Sequence, residues 1–141
     1  MASSALRIHP KQLSIGAKTG DDWFAKLVPF LAHINSLLEE TPVDDEGRTD
    51  YADDLVRALN KLARYTYLSR RARDHALAEG YEKYPRPTYH SDAAVALARE
   101  YASEEVSLRG LLEELEAALK LAASLNQSAL AYARSQHQHG G

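Results

Sequence analysis

From Ser91 to Gln136 the chain runs for 46 residues without a proline and with helix-forming residues at nearly every position. As one straight helix this stretch would reach about 69 Å, at about 1.5 Å of rise per residue. A compact chain of 141 residues has a radius of gyration near ~14 Å. The stretch must therefore bend, protrude or pair with another chain. Positions 94, 98, 101, 105, 108, 112, 115, 119, 122, 126, 129 and 133 alternate four and three apart. They form an Ala/Leu seam interrupted by Glu105 and Asn126. A second row, Leu97, Leu111, Leu121, Leu125 and Tyr132, widens the apolar face beyond a two-stranded coiled coil and toward a bundle. Ser103-Glu104-Glu105 reads as a helix start and Gly110 weakens a helix interior. A break is therefore expected near residues 102–104, with Glu105 as a first-turn acid rather than a buried one.

The rest of the chain is also helical in pattern. Trp23, Phe24, Leu27, Leu31, Ile34 and Leu38 mark one face of a first helix over 21–40, with Trp23 and Phe24 as core anchors. Pro29 predicts either a kink or a turn at 21–27 followed by a helix from 29. Thr49 is the expected cap of a second helix carrying Leu55, Leu59 and Leu62, with Gly80 as its stop. Pro85 and Pro87 keep the tyrosine-rich connector 80–90 out of regular helix, and Ser91 is the expected cap of the long stretch. Residues 1–20, with Pro10, Gly16 and Gly20, read as an irregular arm, and 137–141 as a disordered tail. The fold class is thus all-α: an elongated three- or four-helix bundle of long antiparallel helices, in one domain over 21–136.

The absence of cysteine excludes disulfides, thiolate metal sites and cysteine nucleophiles. No apolar run is long enough to span a bilayer and none has the form of a signal peptide, so a cytoplasmic protein is expected. The net charge of −3 conceals segregation. Residues 1–20 carry three bases and no acid, 21–55 ten acids against Lys26 and Arg48, 56–90 eight bases against three acids, and 91–141 seven acids against four bases. Such blocks favour contact between segments or between chains.

Candidate chemistry is sparse. Arg57, Lys61, Arg64 and Arg71 recur on one face of the second helix, with Arg70 and Arg73 beside them and Tyr65 and Tyr67 interleaved. Arginines neutralise phosphates and tyrosines stack on unpaired bases, so these eight residues are the candidate contacts for nucleic acid or an acidic partner. Neutralisation of the chain's own acids, at 39–54 or 100–116, is the structural alternative. Arg70 and His75 have a spacing that resembles the Arg-x4-His of a class of helical ribonucleases, where arginine holds phosphate and histidine moves protons. The match spans two residues, Arg71 stands where a small polar residue usually follows, and no family is assigned from it. Glu100/Glu104 and Glu113/Glu116 pair carboxylates on shared faces, but the Glu-x-x-His of di-iron bundles and His-Glu-x-x-His are missing. No catalytic residue, metal site or cofactor is expected. The leading expectation is a non-enzymatic helical interaction module, an adaptor, assembly factor or small subunit that binds a protein partner and self-associates, first as a dimer. A nucleic-acid-associated subunit is the alternative, and a helical phosphate-ester hydrolase the third.

Overall fold

The computed structural model describes residues 23–140, with side chains to residue 136. The expected arm lies outside them, as do the side chains of the tail. Among the described residues four helices follow one another: α1 (Trp23–Glu39), α2 (Asp45–Lys83), α3 (Ser91–Tyr101) and α4 (Ser103–Gly140). The architecture is an all-α bundle built on two long antiparallel helices, of 39 and 38 residues. Among the described residues no helix is long and apolar enough to cross a membrane.

α2 is the spine. α4 pairs with α2 from its start to about the level of Ser69, α3 with its last turns, and α1 lies against both α2 and α4. Leu55, Leu62, Leu108, Leu112, Leu115 and Leu119 are almost wholly buried where α2 meets α4. α1 closes this half with Leu27, Phe30, Leu31 and Ile34, and Trp23 meets Phe24 edge-on, with ring centroids 5.9 Å apart. The other half has, among the described residues, two helices and a different core. Ala76 and Gly80 of α2 are buried, as are Ala94, Ala98 and Ala102 on α3 and the link after it. Here small residues let two backbones approach closely, toward the short end of the ~8–10 Å range for packed helices.

The long stretch does bend, at Ala102, whose backbone (φ −95°, ψ 17°) leaves the helical region. The hydrogen-bond ladder nevertheless carries across, from Ala102 N to Ala98 O (3.1 Å) and from Val106 N to Ala102 O (3.0 Å). The bend falls where packing changes from alanine on glycine to leucine on leucine, so the chain steps outward there. Glu105 is a first-turn residue as expected, but it is buried, and so is Arg109 one turn later. Arg109 Nη2 meets Glu113 Oε1 at 3.0 Å. Asn126, also buried, donates to the carbonyl of Arg48 (2.8 Å). That contact fixes the antiparallel register and sets Glu105 level with Ser69 at about one residue of rise per residue on each helix.

Several expected boundaries move. α1 is continuous through the exposed Pro29, so no separate turn precedes it. α2 starts at Asp45, because the Asp44 carboxylate accepts from Gly47 N at 2.6 Å; Thr49 lies inside the helix and donates to Asp45 O. Asp44 wins because its carboxylate is also favoured by the helix dipole. Gly80 does not stop α2, which continues to Lys83. It is instead a contact point, where an added Cβ would meet Ala98 Cα at 2.9 Å and Ala98 O at 3.0 Å. α3 starts at Ser91 after His90, with no side-chain cap. The connector turns at Pro85, whose carbonyl accepts from Thr88 N and Tyr89 N at 3.0 Å each.

Two glycines give opposite predictions. Gly80→Ala puts a methyl against immovable backbone and is expected to destabilise by about 1–3 kcal/mol despite alanine's helix preference. Gly110→Ala, with nothing within 4 Å of the new Cβ, is expected to stabilise by up to ~1 kcal/mol. Urea unfolding midpoints check both signs. Tyr51 supplies a pH test. Its hydroxyl donates to Leu37 O at 2.6 Å and ties α1 to α2. Burial raises its pKa above the usual tyrosine value. The folded state therefore prefers the neutral phenol: this stabilisation is complete below pH ~10 and is lost as pH rises through the raised folded value. Tyr51→Phe should cost about 1 kcal/mol at neutral pH and remove that part of the alkaline loss, read from denaturation at pH 8 and 11.

Candidate interaction surfaces

The basic stripe follows from α2's period. At about 100° per residue, Arg57, Lys61, Arg64 and Arg71 fall within an arc of about 80°. All four are exposed. Tyr67, 58% exposed, lies under the Arg71 guanidinium at 5.9 Å. Lys61 stands 5.0 Å above the Phe30 ring at the edge of α1. The other candidates do not join them. Tyr65 is a core residue stacked on Phe30, with centroids 5.3 Å apart, and cannot offer its face to a base. Arg70 and Arg73 sit more than ~100° around the axis from the stripe, and Arg73 pairs with Asp74 at 3.2 Å. The sequence interleaving of Tyr65 and Tyr67 separates on a helix, because residues two apart face different ways.

Internal neutralisation of the stripe is not seen among the described residues: Arg57, Arg64 and Arg71 form no ion pair there. The same face of α2 carries Glu46, Asp50, Asp53 and Asp54 toward its start, all exposed. A groove of about 320 Å³ opens at this acidic end between α1 and α2, lined by His33, Glu40, Asp50, Tyr51 and Asp54. Its histidine is exposed on the rim. Charge is thus ordered along one helix face, acids first and bases after.

The hydrolase constellations are dispersed. Arg70 and His75 are about 140° apart around α2, and His75 Nε2 meets Glu79 Oε1 at 3.0 Å. Glu113 is held by Arg109, and Glu116 by Lys120 at 3.1 Å. Glu100 and Glu104 stand on either side of the bend. Among the described residues no three histidine or carboxylate side chains gather in a group able to hold a metal.

A second surface lies on α4. Leu121, Leu125 and Tyr132 are 60%, 62% and 67% exposed. They share an arc of about 40°, some 130° from the buried leucine row of the same helix. Around them stand Ala117, Ala118, Ala122, Ser124, Ala129 and Ala131, with no charge. The inner seam has already met α2, so this row is a second apolar edge on one helix. The sequence pattern contained both rows, but only packing shows which one the fold consumes. No family model, curated protein or solved structure matches the chain.

Proposed function

We propose that the chain is a non-enzymatic helical interaction module: a small subunit, adaptor or assembly factor that docks through the outer edge of α4. The observation that carries this reading is the exposed row Leu121, Leu125 and Tyr132 on a helix whose other apolar seam is already buried. Single exposed leucines are ordinary on a protein surface, but three large apolar side chains aligned on one edge, with uncharged neighbours, have the composition of a docking face. The long rigid α2–α4 pair holds that edge in fixed geometry, which lowers the ordering cost of binding. Replacing Leu121 and Leu125 together by lysine tests it. Folding stability should stay within about 0.5 kcal/mol of the parent, as for surface substitutions, while the assembly that the parent chain forms, with itself or with co-purifying proteins, is lost. A variant that unfolds, or one that keeps the same companions, overturns the reading.

The uncommitted arginines favour one second reading, a surface for single-stranded nucleic acid formed by Arg57, Arg64, Arg71 and Tyr67. Three phosphate contacts would give a salt slope of log K near about −2 on single strands. Arg64→Glu with Arg71→Glu should abolish a gel shift with single-stranded RNA. Absence of binding by the parent at low salt removes this reading.

A further inference from the structure

We propose that the partner of the α4 edge is a second copy of this chain, packed antiparallel across a two-fold axis near Ala123. The inference rests on the reading of that edge as a docking face and adds the occupant and its register. Residues 114, 118, 121, 125, 128 and 132 alternate four and three apart: Glu, Ala, Leu, Leu, Ser and Tyr. A sustained heptad spacing is the pattern of a helix that meets another helix along a seam. Folding the seam on itself about residue 123 makes symmetric layers. Leu121 meets Leu125 of the partner subunit twice at the centre. Ala118 then meets the partner's Ser128, a small pair on either side. Tyr132 meets the partner's Glu114 at each end, where its hydroxyl can donate to the carboxylate.

Charge selects this orientation. Glu114 stands on the seam itself near one end, and Tyr132 near the other. An antiparallel pair sets each Glu114 against the partner's Tyr132, whereas a parallel pair would set the two Glu114 carboxylates side by side. Flanking positions 117, 122, 124, 129 and 131 are alanine or serine, which permits close helix axes and asks for a partner that is also uncharged there. This chain meets that demand. Lys120 is turned away and engaged by Glu116 at 3.1 Å. From Glu114 to Tyr132 the seam is about 27 Å long. One helix pair of that length lies near the low end of specific interfaces, about 1,000–1,200 Å² in total. The dimer is accordingly reversible and concentration-dependent.

The absence of cysteine makes disulfide trapping clean. Full-length Ala118→Cys and Ser128→Cys chains are mixed under mild oxidation. The proposal expects covalent dimers that join one variant to the other, and little cross-linking of either alone. Adding Leu125→Glu to both should cut the yield about tenfold or more, because each glutamate faces the partner's Leu121. Efficient cross-linking of Ala118→Cys alone indicates a parallel pair and overturns the register. No cross-link in the mixture, with a 15.6 kDa monomer in sedimentation across the concentrations used, overturns the second copy as occupant. The docking reading fails separately, when the Leu121/Leu125 lysine variant unfolds or keeps its companions.

Discussion

The burial of leucine between α2 and α4 is the interaction on which the other features depend. Leu55, Leu62, Leu108, Leu112, Leu115 and Leu119 are almost entirely withdrawn from water. At about 1.5–3 kcal/mol for each buried side chain of this kind, this row is the principal source of free energy for holding two helices of nearly forty residues side by side. α1 has somewhere to pack only because that pair exists. Its seventeen residues would be marginal as an isolated helix, and its aromatic face is completed by Tyr65 from α2.

Polar groups inside this apolar row then choose one arrangement among several. A leucine seam alone tolerates sliding by a heptad. Asn126 donating to Arg48 O tolerates one register. Buried Glu105 and Arg109 lie at the far end, close to where α3 departs, and Arg109 pairs with Glu113 on its own helix. Beyond that level the molecule changes style. Gly80 against Ala98 brings α2 and α3 into near backbone contact, and the chain bends at Ala102 between the two spacings. The described residues thus form a three-helix half sealed by large side chains and a two-helix half sealed by small ones.

The proposed docking edge follows from the same economy of faces. Among the described residues a helix in the three-helix half has two neighbours and one open side. On α2 the open side is charged, acid toward its start and base toward its middle. On α4 it is apolar, with Leu121, Leu125 and Tyr132 outermost. The two surfaces thus differ in chemistry: one carries charges of both signs, the other large apolar side chains with small uncharged flanks.

Much of the fold was legible in the chain. The all-α class, the long pair, the core roles of Trp23 and Phe24, and the bend near residue 102 followed from period, capping residues and helix length, which are local properties. The surfaces were only half legible. Arg57, Lys61, Arg64 and Arg71 share a face by helical geometry alone, but Tyr65 reads the same as Tyr67 until Phe30 is seen stacked on it. Gly80 reads as a stop because glycine often ends helices; its actual role depends on α3 lying against it, which no local pattern encodes. Glu105 reads as a solvated first-turn acid, and its burial depends on elements distant in sequence. The sequence by itself determined which residues form helices and which faces of them are apolar, since those depend on neighbours within four residues. Only the tertiary structure decided which apolar face is consumed and which is left at the surface, because burial depends on which helices meet.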